Sequence, residues 1–252
     1  MKQQPYSIGK YAWFVVAILA PVALLNYLDR QMLATMKGSM VTDIPSIANR
    51  ADWGLVLGSF KWTYALLSPF GGYIADRVSK RHVIGLSLLT WSVVTWWTGH
   101  VTSYHEMISV RALMGVSEAF YMPAALALIA DFHPGNTRSR AIGVHQVGIY
   151  IGQICGGFAG YVADSPEHGW RWAFSTCGLL GVIYAIPLFF LLRNRRRDEV
   201  SAEEHVSVAA PRMGVVQGLL TNRNFILLVL YFTLPAIAGW VVRDWMPDIL
   251  RE

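Results

Sequence analysis

Asp29 and Arg30 stand side by side in the stretch NYLDRQ, inside an apolar run that opens at Tyr11. Further along, Arg111 and Glu118 lie seven residues apart in RALMGVSE, within another apolar run. Two acids and two arginines in such surroundings could hold an anion, carry a proton, or do both. A guanidinium keeps its charge and offers a planar fork that matches a carboxylate bidentately. A carboxylate can take up or release a proton: burial disfavours its charged form and a neighbouring arginine favours it. At about 100° per residue, Arg111 and Glu118 share one helix face roughly 10 Å apart along the axis, whereas Asp29 and Arg30 point about 100° apart. Asp29 is therefore expected to turn towards Arg111. Arg30 is left for an anion, with Tyr27 three residues before it on the same face. Ionisable residues cost roughly 2.5 to 3.5 kcal/mol each at the centre of a spanning helix and by default mark a cavity or a relay.

The elements that must position these groups follow from hydropathy. Of the 252 residues, 54% are hydrophobic and 15% charged, against roughly 25% charged in soluble domains. Apolar runs of about 20 residues match a hydrocarbon core roughly 30 Å thick. Candidate spans fall at Tyr11 to Met36, Trp53 to Tyr73, Val83 to His100, Met107 to Phe132, Ala141 to Ala163, Trp172 to Leu192 and Phe225 to Val242. The fold expected is an all-α polytopic membrane protein: a six-helix bundle over residues 1–192, a cytoplasmic linker at 193–223, and at 224–252 the first helix of a second bundle whose remainder is cut off. Half-molecules of six helices suggest a transporter built from repeats, with its solute at the interface between halves.

Loop charges set the expected orientation, because basic loops are retained on the cytoplasmic side. Lys2, Lys10, Arg77, Lys80, Arg81, Arg138, Arg140 and the six arginines between Arg193 and Arg223 flank one set of span ends; Lys37, Arg50 and Arg171 flank the other. The N-terminus is thus expected in the cytoplasm. The net charge of +5 is spread over these loops and not along one basic face, which argues against nucleic acid. Cys155 and Cys177 sit within apolar runs and read as small packing residues. No nucleophile, base and orienting group recur in an enzyme-like arrangement and no metal-ligand spacing appears, so neither catalysis, cofactor nor metal is expected.

Further polar groups within the runs are candidate solute contacts: Asn26, Tyr64 and Gln146 as hydrogen-bonding groups, and Lys61, about eight residues into the second span, as a second cation. Tyr150 and Gln153 lean the same way, towards a polar solute. His145, early in the fifth span, reads as a packed polar residue. Gly148, Gly152 and Gly156 repeat every four residues there, a spacing that permits close backbone approach between membrane helices.

The loop after the second span reads Gly72-Tyr-Ile-Ala-Asp76-Arg77-Val-Ser79-Lys80-Arg81. It resembles the signature between helices two and three of the major facilitator superfamily, with Ser79 in place of a usual glycine. Physically, a glycine there allows close packing, an aspartate caps or pairs across a helix end, and basic residues anchor the cytoplasmic face. The Arg111 to Ala119 stretch is similar to the superfamily's fourth helix, and PGNTRSRA and GWRWAF to the segments before its fifth and sixth. Asn26-Tyr27-Leu28-Asp29-Arg30, with Arg111 and Glu118, resembles the anion:cation symporter branch for hexuronates, galactonate and related sugar acids. GVSEAFYMPAALALIADFHP and RSRAIGVHQVGIYIGQ also resemble spinster-like lipid transporters.

The resemblance implies proton-coupled symport of a small organic anion across a bacterial inner membrane by alternating access. Arg30, Tyr27, Asn26, Lys61, Tyr64 and Gln146 would meet the solute, Asp29, Glu118 and Arg111 would handle the proton, and Gly72, Asp76, Arg77, Lys80 and Arg81 would form the gating motif. It also implies that the glycine-rich fifth helix packs against the other half. Two alternatives stay open: transport of a lipid or other amphiphile, and a non-transporting fragment or half-transporter that assembles with a partner chain.

Overall fold

Helices form where the apolar runs predict them, and polar residues fix where several begin. Asn49 starts one: its side chain accepts the Asp52 N–H at 3.0 Å while the Asp52 carboxylate accepts the Asn49 N–H at 3.2 Å, a reciprocal cap that satisfies two otherwise orphaned donors. Ser103 starts another by accepting the Glu106 N–H at 3.3 Å. The structure, a computed structural model, describes residues 9–47, 49–133, 135–194 and 218–250. The helices are α1 (Lys10–Thr35), α2 (Lys37–Asp43), α3 (Arg50–Arg77), α4 (Lys80–Thr98), α5 (Tyr104–Glu118), α6 (Tyr121–Phe132), α7 (Arg138–Gly157), α8 (Ala159–Ala163), α9 (Gly169–Leu191) and α10 (Arg223–Ile249). There is no strand among the described residues.

The chain divides into two units, Met1–Arg195 and Arg196–Glu252. The second contributes α10 as its long helix, and most of the linker expected at 193–223 lies outside the described residues. In the first, α1 packs on α7, α4 on α9 and α3 on α5. Val16, Leu19, Val22, Ile84, Leu88, Trp91, Tyr121 and Leu128 meet in its core. Its outside is also apolar, with Trp62, Tyr161 and Phe190 almost four-fifths exposed, the pattern of a bundle whose solvent is lipid. Four helical stretches are long and apolar enough to cross a bilayer by themselves: Lys10–Thr35, Tyr104–Phe132, Gly169–Leu191 and Arg223–Met246. Helices α3, α4 and α7 occupy the other three expected spans with more polar sequences.

The fourth span is two helices, not one, because Pro123 has no N–H to give the Ala119 carbonyl. The helix loosens at Ala119 and Phe120, directly after Glu118, and α6 resumes at Tyr121.

The glycine row packs within the bundle: a Cβ on Gly148 would meet the Ala20 carbonyl oxygen at 2.5 Å, one on Gly152 would strike the Leu24 carbonyl, and one on Gly156 would meet the Leu28 carbonyl at 2.7 Å. All three carbonyls belong to α1. The Thr35 hydroxyl completes the seam by donating to the Gly156 carbonyl at 2.9 Å. Gly152→Leu is therefore expected to prise α1 from α7, an overpacking cost of about 1 to 3 kcal/mol or more, read as earlier thermal unfolding in detergent. Gly143→Ala, whose Cβ would meet nothing within 4 Å, is expected to melt like the parent.

Candidate functional site

The α1 residues Asn26 and Asp29 lie three apart and face α5, so the polar turn of α1 is applied to the polar face of α5. Both are buried, as are Arg111 and Glu118. The four charges form two ion pairs between the helices. Arg30 donates from Nε to Glu118 Oε2 at 2.8 Å and from a terminal nitrogen to the same oxygen at 2.5 Å. Arg111 approaches Asp29 Oδ2 at 3.6 Å, an ion-pair distance too long for a hydrogen bond. Arg111 also donates to the Met114 sulfur at 2.9 Å. Two positive and two negative groups sum to zero, which is how a low-dielectric interior keeps four charges.

Exposure separates the four. The Glu118 side chain is 0% exposed, Asp29 1% and Arg111 3%, while Arg30 is 18% exposed. Arg30 is the most accessible of the four. Three rings surround that guanidinium, with centroids at 4.8 Å (Tyr27), 4.7 Å (Phe60) and 5.0 Å (Tyr64), the range of cation–π contact. Phe60 also touches the second arginine, its centroid 5.1 Å from the Arg111 guanidinium. Sequence reasoning passed over Phe60. Its signal was the spacing to Tyr64, four residues on, whose ring stacks on it at 5.7 Å.

The other expected solute contacts divide. Asn26 is buried within electrostatic reach of Glu118. Lys61 is half-buried on α3. Gln146 is half-buried on α7 and makes no side-chain hydrogen bond among the described residues, whereas its neighbour His145 is buried and bonded to Tyr121.

The expected gating motif joins α3 to α4. Lys80 pairs with Asp131 at the end of α6 at 2.6 Å, Arg77 lies 3.5 Å from the Tyr73 ring centroid, and the Arg81 N–H donates to Asn194 Oδ1 at 3.1 Å. Ser79, standing where the superfamily signature has glycine, accepts from Asn194 Nδ2 at 2.6 Å. Asp76 is exposed. A Cβ on Gly72 meets nothing within 4 Å among the described residues, whereas one on its neighbour Gly71 would strike the Ala119 carbonyl. Gly71 is the position that needs to be bare, because it receives the carbonyl that Pro123 leaves free. At the opposite end Arg171 is a clamp, not a loose loop charge. It donates to Asp43 at 2.7 Å and to the Val101 carbonyl at 2.6 Å. No group of histidine, cysteine and acidic residues that could hold a metal occurs among the described residues.

Residues 19–250 match the family model described as Major Facilitator Superfamily. The human protein spinster homolog 1 is 30% identical over 250 residues, covering 97% of this chain and 46% of that protein. A probable L-galactonate transporter of Escherichia coli K12 is 28% identical over 266 residues, covering 99% of this chain and 56% of the other. Among solved structures, an inward-facing, unoccupied bacterial homolog of the human lysosomal transporter spinster superposes with a TM-score of 0.79 at 22% identity, over 96% of this chain and 56% of that one. A D-xylose-proton symporter gives 0.61 at 17% identity, over 87% and 55%. The chain spans about half the length of the relatives it matches.

Proposed function

We propose that this chain, which belongs to the Major Facilitator Superfamily and is an integral membrane transport protein, is the N-terminal six-helix bundle (1–192), linker (193–223) and following helix (224–252) of a proton-coupled symporter for a small organic anion. The observation that carries the reading is the exposure gradient across the crossed ion pairs: an arginine open to solute, tied to a glutamate that is fully enclosed. A solute carboxylate that captures the Arg30 fork takes the counter-charge from Glu118. A carboxylate left without its counter-charge in a low-dielectric site holds its proton. Binding of the anion and loading of the proton then become one event. Asp29 and Arg111 form the second pair through which the proton leaves. Rocking of two halves about a midplane site gives alternating access, with the N-terminus in the cytoplasm of a bacterial inner membrane.

Sugar acids such as hexuronates or galactonate are the proposed solutes, supported by the L-galactonate relative and by Asn26, Tyr27 and Tyr64 around the anion site. The spinster likeness together with the aromatic enclosure of Arg30 favours a second reading, an amphiphile whose acidic head meets Arg30. Uptake of galactonate, a hexuronate and a lysolipid into proteoliposomes holding the whole transporter distinguishes the two. Arg30→Ala is expected to weaken uptake of the carboxylated solute about 10- to 100-fold, the worth of a charge-assisted hydrogen bond. Wild-type uptake by Arg30→Ala overturns the assignment. Purified alone, the chain separates the remaining possibilities by size in detergent: a stoichiometric dimer marks a half-transporter, and aggregation marks a piece that needs its other half.

A further inference from the structure

Pro21 leaves α1 one hydrogen bond short, since it has no N–H for the Ala17 carbonyl. Two tyrosines from other helices grip α1 at this turn. Tyr184 of α9 donates to the Ile18 carbonyl at 2.9 Å, and the Tyr121 hydroxyl reaches the Leu19 carbonyl at 3.3 Å. Tyr121 is not free to serve that carbonyl alone, because His145 Nε2 lies 2.9 Å from the same hydroxyl. Both side chains are 1% exposed. Trp91 packs edge-on against the Tyr121 ring at 5.2 Å, so the phenol cannot swing away. The approach of Gly148 to the Ala20 carbonyl holds α7, and with it His145, against the joint.

A phenol has one hydrogen, and here two acceptors compete for it. If His145 Nε2 carries a hydrogen, it donates to the Tyr121 oxygen and the phenol hydrogen goes to Leu19. If Nε2 is bare, the shorter contact takes the phenol hydrogen and Leu19 loses its outside donor. We propose that Tyr121 and His145 form a clasp on the Pro21 joint of α1, closed in the imidazolium, whose Nε2 bears a hydrogen, and open in the neutral ring, whose single hydrogen sits on Nδ1. His145 and Tyr121 are positioning residues: Leu19 lies seven residues before Asn26, about 10 Å along the axis, so the clasp sets how firmly the site-bearing half of α1 is held. That consequence for transport rests on the function proposed above; the clasp does not.

Among the described residues, the ionisable groups around His145 are few. Tyr121 faces it from α6, whose other ionisable residue, Asp131, is held by Lys80 at 2.6 Å. Tyr27 of α1 and Tyr184 of α9 stand within electrostatic reach of the Tyr121 hydroxyl. Asp29 and Arg30 lie ten and eleven residues beyond Leu19 on α1, about 15 Å along its axis. Arg138 and Arg140 lie seven and five residues before His145 on α7.

Hydrogen–deuterium exchange of the α1 segment 17–25, in the chain held in lipid nanodiscs and corrected for intrinsic chemical rates, tests the clasp between about pH 3.5 and 8, a range that extends far enough into acid to protonate an imidazole enclosed as His145 is. Protonated His145 closes it, so the wild type should exchange roughly fivefold more slowly at the acidic end, the change that one hydrogen bond of about 1 kcal/mol gives. The variants should diverge. His145→Leu leaves Leu19 as the acceptor of the phenol hydrogen and should stay protected at every pH. Tyr121→Phe should exchange fast at every pH. A flat wild-type profile overturns the proposal without any variant having to fold, and so does loosening of α1 by both substitutions alike, which is what packing alone would produce. Because no uptake is measured, failure of the transport reading leaves this result interpretable.

Discussion

A Glu118→Gln transporter is expected to lose proton-driven accumulation of its carboxylated solute while still exchanging that solute across the membrane. The substitution keeps shape and removes charge, so it copies the protonated glutamate that the cycle is proposed to form. In the parent, two nitrogens of Arg30 converge on Glu118 Oε2 at 2.8 and 2.5 Å, and an incoming anion must displace that oxygen. Hydrogen bonds to charged groups contribute about 1.5 to 3 kcal/mol. Removing the competitor should therefore tighten carboxylate binding roughly 10- to 150-fold and abolish its dependence on pH. Calorimetric binding at several pH values reads the first effect. Uptake driven by an imposed proton gradient, set beside counterflow without one, reads the second. Undiminished accumulation by Glu118→Gln would remove this residue from the proton path. Lost counterflow with normal folding would assign it to solute binding.

The fold was legible because lipid imposes a length and a composition on every crossing element, and both can be read along the chain. The pairing of Asp29 with α5 was legible too, from the angle between adjacent residues on a helix. The partner of Arg30 was not: whether Glu118 arrives at Arg30 or beside it depends on the register of α1 against α5, which no local pattern carries. Small-residue spacing has the same limit. Gly148, Gly152 and Gly156 announce a close contact but not with what, and the contact is α1 of the same bundle. Near the gating loop the matched glycine, Gly72, has open space, while Gly71 lies under a carbonyl released by a proline some fifty residues away. Phe60 and Tyr121 were passed over for another reason, and His145 was read only as a packed polar residue. In an apolar run, an aromatic that packs and one that grips a guanidinium or a carbonyl are written with the same residue.

Arg111→Leu is expected to be the most destabilising single change at the site, and Asp29→Asn combined with it is expected to restore much of the loss. Removing one partner of a buried ion pair costs about 3 to 5 kcal/mol, because the remaining charge is stranded, whereas removing both can be nearly neutral. The pair here meets that condition, with side chains 3% and 1% exposed. The other cation near Asp29, Arg30, is committed to Glu118. The single variant should melt early in detergent or be recovered in low yield, and the double variant should approach the parent, giving a coupling energy by the usual cycle. This recovery distinguishes a stranded charge from a cavity, since a cavity left by the arginine would persist in the double variant. It also reports the state of the acid. The 3.6 Å separation lacks the short contact that binds Arg30 to Glu118, so if Arg111→Leu alone melts like the parent, Asp29 already carries a proton at rest. Proton release would then begin from this aspartate, and Glu118 would serve only to hold Arg30 until the solute arrives.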